Sequence, residues 1–329
     1  MRTRRNSAVH ALLVAGLVAA GILCPAVARA QTYPSKPVRI VVGFPPGGAS
    51  DVAARAVGGK LAERLGQPVV IDNRAGAASN IGSELVARSP ADGYTILFGT
   101  ISLAINPSLY PKLAYDPLKD FAPVTQISSS PFLLVVNPDT PYRSVADLIA
   151  AAQAAPKPLL YATAGNGSGS HLFMEYFAAS AGIRLAAVPY KGAAPAMNDV
   201  LAGTVPLTFD NIITTLPLYK AGRLRALAVS TSTRAAAAPD IPTLQELGVA
   251  GYDANAWFGL LAPTGTPADI VEKLYAETAE SLKDPQVRER LLSLGSEPVG
   301  STPAAFGRFY RAEVEKWGKV VRAANVRIE

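Results

Sequence analysis

The chain is poor in the side chains that most often do chemistry. It has one cysteine, Cys24, and two histidines, His10 and His171, in 329 residues. Cys24 and His10 both fall in an N-terminal segment that reads as an export signal. The mature chain is then left with no thiol and one imidazole. Disulfides, thiol catalysis, a cysteine-ligated metal and a zinc site built on several histidines are excluded. Excess charge is equally scarce. The formal net charge is +6, but Arg2, Arg4, Arg5 and Arg29 belong to the same N-terminal segment. Without these four the balance is about +2, and no nucleic-acid footprint is implied. Past residue 30 there is no run of about 18 apolar residues, so no membrane span is predicted.

The N-terminal segment itself is informative. MRTRRNSAVH carries three arginines and no acid, and ALLVAGLVAAGILC follows with the length of a signal-peptide core. Ala28-Arg29-Ala30 gives the small-x-small pattern of a signal-peptidase site. Cleavage is predicted after Ala30, leaving Gln31 as the first mature residue. A lipoprotein signal is disfavoured, because Cys24 follows Ile22-Leu23 rather than small residues. The mature protein is expected to be exported to the periplasm, soluble, and long enough for two lobes.

Short apolar runs alternate with helix-like patterns, which predicts an α/β architecture. Strands are predicted at 38–42, 68–73, 92–100, 131–137, 158–163, 186–190, 205–211, 224–231 and 257–263. Helices are predicted at 51–65, 79–88, 144–155, 171–182, 195–203, 267–283 and 303–324. Ser144 with Asp147 forms a capping-box pattern, and Gly182 is a helix stop. Proline-rich stretches near 131–141 and 239–255 read as two crossings between lobes. One lobe would hold 33–132 and 256–329, the other 133–255.

Two glycine-rich loops share one context. GFPPGGASD (43–51) and ATAGNGSGSH (162–171) each follow a strand and open a helix. Glycine lets backbone approach a ligand closely, and a helix start supplies unpaired N–H groups with about +0.5 of charge. Such a turn is an anion site. Other readings of the second loop are poorer. A nucleophile elbow needs G-x-S-x-G, and the first glycine is missing around Ser168. Gly165-x-Gly167-x-x-Ser170 only approaches a dinucleotide fingerprint. Simple helix capping by Ser168, Ser170 and Asp51 stays open, as does a structural role for His171. Lys191 reads equally as an attractor for an acidic ligand or as a solvated surface charge. Asp210-Asn211 ends a strand where it could meet ligand. Trp257-Phe258 reads as packing for an interlobe strand.

These segments, taken together and in order, resemble the substrate-binding proteins of tripartite tricarboxylate transporters, the Bug proteins. The likeness rests on FPPGGASD, DNRAGAASNIG, SPADGYT, YATAGNGSGSHL, VPYKGAAPAMNDVLAG, TFDN, IPTLQELGV and WFGLLAPTGTP. It implies a two-lobe, type II-like periplasmic binding fold that closes on a small carboxylate in a hinged interlobe cleft. It implies ligand contacts from Phe44, Gly47, Gly48, Ala49, Ser50 and Asp51, and from Asn166, Gly167, Ser168, Gly169, Ser170 and His171. Tyr190, Lys191, Gly192 and Asp210 would lie close by. It implies no catalytic residue, metal or cofactor, a monomer, and membrane permease subunits as partners. A sensor for a receptor kinase, or a serine hydrolase, are the alternative functions. One departure is visible. The family often has Pro-Gly-Ala-Gly-Gly-Asn before Ile-Gly, where this chain has Ala-Gly-Ala-Ala-Ser-Asn (75–80), and fewer glycines make that loop stiffer.

Overall fold

The run Val-Arg-Ile-Val-Val carries β-branched side chains that suit a pleated, packed strand, and it starts the architecture. The computed structural model describes residues 33–324 and Val326. The export-signal reading, with cleavage after Ala30, lies outside the described residues. The described chain runs β1 (Val38–Val42), α1 (Ala49–Leu65), β2 (Val69–Asn73), α2 (Asn80–Ala87), β3 (Thr95–Thr100), α3 (Ser102–Leu109), β4 (Phe121–Ser130) and β5 (Phe132–Val136). Then come α4 (Val145–Ala154), β6 (Leu159–Thr163), α5 (Gly169–Ala181), β7 (Leu185–Pro189), α6 (Ala193–Leu201), β8 (Leu207–Asn211), α7 (Ile212–Lys220) and β9 (Arg225–Val229). The chain finishes with β10 (Ala256–Pro263), α8 (Ala268–Lys283), α9 (Pro285–Ser293), β11 (Glu297–Pro298) and α10 (Pro303–Ala323).

The strands form two mixed sheets. The first has six strands in the order β11-β4-β10-β3-β1-β2, and the second has five in the order β7-β6-β8-β5-β9. The chain passes from the first sheet to the second at Pro131 and returns between Val229 and Ala256. In the first sheet β1 lies between β2 and β3 and is parallel to both. In the second, β6 lies between β7 and β8 and is parallel to both. Each sheet therefore reverses its winding beside one strand, and the loop leaving that strand's carboxyl end opens onto a crevice. Those two loops are the glycine-rich ones, at 43–48 and 164–168.

Behind the crevice the core is aromatic. Phe132 stacks on Phe173 at 4.3 Å between ring centroids, and Phe173 stacks on Trp317 at 5.2 Å. This places β5, α5 and the C-terminal helix α10 in one stack. All three rings are buried. Trp257 of β10 packs edge-on against Phe306 and Tyr310 of α10.

Most predicted elements appear within a few residues of their predicted limits. Ser144 caps α4 by accepting from the Asp147 N–H, and Asp147 in turn accepts from the Arg143 N–H. Gly182 ends α5 in the left-handed region at φ 65°. Five elements lack a counterpart in the sequence reading: α3, β4, α7, α9 and β11. Proline hides three of the larger ones. Pro107 lies inside α3, Pro217 inside α7 and Pro123 inside β4, and each is a local breaker signal that tertiary packing overrides.

The stiffened loop at 75–80 has a conformational cost. Ala77, Ala78 and Ser79 all have positive φ, at 46°, 50° and 77°. Side chains with a Cβ pay about 1–2 kcal/mol in that region. The loop is held by the buried Asn106 amide, which donates to the Ala78 carbonyl at 2.9 Å and to Asn80 Oδ1 at 2.7 Å. Tyr115 donates to the same Asn80 oxygen. Ala78→Gly should relieve strain at φ 50° and lose little packing. We expect a gain of about 0.5–1 kcal/mol after the entropy cost of glycine. Urea unfolding checks this, and a destabilised variant would contradict it.

Candidate functional site

Backbone N–H groups at a helix start have no intrahelical acceptor. Five helices bring such starts to one cavity of about 170 Å³. Gly48, Ala49 and Ser50 come from α1, and Ile101 and Ser102 from α3. Ser168, Gly169 and Ser170 begin α5, while Gly192, Ala193 and Ala194 begin α6. Asn211 caps α7. The caps Gly48, Ile101 and Gly192 offer no side chain to their helices, whereas Ser168 and Asn211 each do. Among the described residues that line the cavity none is Lys, Arg or His, and Asp210 alone is acidic. The remaining wall is largely apolar, with Phe44, Pro45, Phe132, Trp257 and Phe258. The positive potential in the cavity therefore comes from peptide dipoles, a helix start carrying up to about half a unit of positive charge.

The first loop is fixed from behind. Asp51, in the first turn of α1, accepts from the Gly47 N–H at 3.0 Å and from Arg55 Nε at 3.0 Å. Arg55 also reaches Asn73 Oδ1, and the Asn73 amide donates to the Phe44 carbonyl at 2.9 Å. Burial alone would raise the Asp51 carboxyl. Arg55, the Gly47 N–H and Asn73 outweigh it and hold the carboxyl below its ordinary value. Asp51 does not line the cavity, and neither does Gly47. The pair sets the loop's shape.

The second loop is fixed by hydroxyls. Thr163, Ser168 and Ser170 form a buried triangle with Oγ separations of 3.0, 3.2 and 2.9 Å. Ser168 also accepts from the His171 N–H, and Ser170 accepts from the Ala164 N–H at 2.8 Å. His171 Nδ1 accepts from the Gly167 N–H at 3.2 Å. Burial lowers the imidazole to about 4, so it stays neutral at pH 7. Helix capping and cavity lining are thus combined in Ser168. His171, Gly167 and Asn166 stand outside the lining, the last exposed at the rim.

The third loop puts its backbone into the site. Gly192, at φ 121°, lines the cavity, and a Cβ there would come within 2.9 Å of Pro45 Cγ on the first loop. Lys191 is exposed and outside the lining. Tyr190 turns to α6, where its hydroxyl donates to Asp199, a contact that raises the phenol to about 12. Asp210 does line the cavity. Its carboxylate accepts from the Thr214 hydroxyl at 3.1 Å, and burial pushes it up to about 6.

Several lining residues carried no motif. Thr100 accepts the Ser102 N–H at 3.3 Å, and the buried Ser102 hydroxyl has no partner in the protein. The signal available for them was a third strand running straight into a helix, TILFGTISLA, with hydroxyls in place of glycines. Trp257 and Phe258 pack the core, as the sequence suggests, and also face the cavity. Chemically, the arrangement can hold an anion. It offers no base to a serine, because His171 Nδ1 is occupied by Gly167. Among the described residues no cluster of three metal-ligating side chains occurs.

Two sheets, each with a switch-point loop facing one crevice, define a solute-binding protein of the periplasmic type. Residues 53–326 match the tripartite tricarboxylate transporter family receptor, and the chain belongs to that family. Along its whole length it is 38% identical to all of BugT from Bordetella pertussis. The solved structure of R. palustris Rpa4515 with adipate is 41% identical and superposes with a TM-score of 0.86, over 90% of this chain and 99% of that one. The periplasmic binding protein BugD is 34% identical with a TM-score of 0.86, over 90% of this chain and all of that one. The family and these neighbours are solute-binding proteins, which are not enzymes.

Two buried groups in the site oppose each other as pH changes. The Asp210 carboxyl is raised from 3.8 to about 6, so its contribution to stability is present in acid and is lost as pH rises across that window. The His171 imidazole is lowered from 6.5 to about 4, so its contribution is lost as pH falls across nearly the same window. Each group can change stability by at most about 1.4 kcal/mol per pH unit. Asp210→Asn removes one of them. Between pH 4 and 6 its unfolding free energy should rise with pH more steeply than that of the parent, by about 1 kcal/mol per pH unit. Urea titrations across that range check this, and parallel profiles would contradict it.

Proposed function

We propose that this protein is a periplasmic receptor that captures a small carboxylate between two lobes and presents it to membrane permease subunits of a tripartite transporter. Residues 33–132 with 256–329 form one lobe, residues 133–255 form the other, and the crossings at Pro131 and after Val229 act as the hinge. The exported chain begins at Gln31 and works as a monomer. One observation carries the reading: five helix starts meet in a cavity that no cation among the described residues lines. An anion there is held by backbone N–H groups and hydroxyls. Charge-assisted hydrogen bonds contribute about 1.5–3 kcal/mol each, and four or five support binding near −8 kcal/mol after association losses. The relative bound to adipate supports the carboxylate assignment. Closure excludes water and marks the loaded state for the permease.

The test uses residues 31–329, stripped of ligand by unfolding and refolding. Thermal shifts are recorded against mono-, di- and tricarboxylates, acidic amino acids and aromatic acids. We expect a saturable rise of several degrees with one subset. No rise with any carboxylate would overturn the assignment.

A further inference from the structure

Asp210 is out of place in an anion site. It lies at the end of β8, 7% exposed, on the cavity wall. Its polar partners are the Thr214 hydroxyl and the Asn211 backbone, and among the described residues no cation lines the cavity with it. Of the charged and titratable groups on the elements packed against β8, Tyr161, Tyr176 and Tyr219 donate to Glu175, the Gly251 carbonyl and Asp240, and the others are directed away. His171 of α5 accepts from Gly167, and Glu175 of α5 takes the Tyr161 hydroxyl of β6. Asp199 of α6 takes the Tyr190 hydroxyl, and Lys220 sits in the last turn of α7, at the far end from the cavity. An incoming carboxylate would therefore share a water-poor cavity with a second carboxylate. Like charges in one site cannot both stay ionised, and one of them takes a proton.

We propose that Asp210 makes the site bind a carboxylate together with one proton, held between Asp210 and the ligand, so that the cargo enters as an anion–proton pair. The inference rests on the carboxylate reading of the site. The protonated Asp210 O–H donates to a ligand oxygen, and the remaining ligand charge lies on the helix starts. Burial already lifts the carboxyl to about 6, which lowers the cost of taking the proton from solvent. The residue also sets selectivity. A hydroxyl or ammonium on the ligand can replace the shared proton, and such ligands bind without taking one up.

Calorimetric titration of the intact mature protein with adipate, in buffers of different ionisation enthalpy, measures the proton directly. Above about pH 6.5 the free ligand is ionised, so uptake reports the protein–ligand pair. We expect close to one proton taken up per ligand at pH 7.5 and an affinity that falls up to about tenfold per pH unit from 6.5 to 8.5. Asp210→Asn should abolish both the uptake and the pH dependence. Saturable binding of adipate with no proton uptake by the parent protein overturns this proposal and leaves the carboxylate reading intact. Failure of every carboxylate to bind at any pH overturns both. The parent measurement decides the matter even if the variant does not fold.

Discussion

The structure depends on the backbone N–H groups that a helix cannot satisfy at its own start. A carboxylate leaving water must find donors, and the usual answer is arginine or lysine. Here the described residues that line the cavity include neither. Helix starts carry partial charge that is fixed in place, and it costs no side-chain entropy to aim. This choice shapes the sequence around the crevice. Gly48 and Gly192 cap α1 and α6 without a side chain that would occupy the donors. Ser168 and Asn211 cap their own helices and keep the loops in register.

Backbone donors work only if the loops that carry them hold still. Asp51, Arg55 and Asn73 clamp the first loop from its outer side, and the triangle of Thr163, Ser168 and Ser170 clamps the second. The aromatic stack of Phe132, Phe173 and Trp317 lies behind the second, with Phe132 against Gly169. The first and third loops meet where a Cβ on Gly192 would press on Pro45. An apolar wall and a polar floor then define the space for the ligand. Among the described residues Asp210 is the one acid facing that space, and its raised carboxyl follows from the same exclusion of water that strengthens the dipoles.

The alternation of strand, glycine loop and helix is legible in the sequence because period and punctuation agree at 38–65 and 158–182. The two loops at the switch points are legible for the same reason. The third helix start is not, because Thr100-Ile101-Ser102 performs with hydroxyls what glycine does elsewhere, and Pro107 masks the helix. Side-chain direction is also hidden. Asp51 and His171 sit inside the loop motifs, yet both turn back to hold backbone N–H groups. Tyr190 adjoins Gly192 but faces Asp199. A motif locates a loop; which of its atoms face the cavity depends on neighbours distant in sequence, such as Asn73 and Pro45.

Backbone dipoles, in place of side-chain cations, are what would hold the anion in this site. A crystal structure of the mature protein grown with adipate tests it most directly. Carboxylate oxygens should lie within about 3.2 Å of backbone N–H groups at the starts of α1, α5 or α6, with no arginine or lysine in contact. A carboxylate seated on Lys191 or Arg55, or lodged outside the crevice, would contradict it.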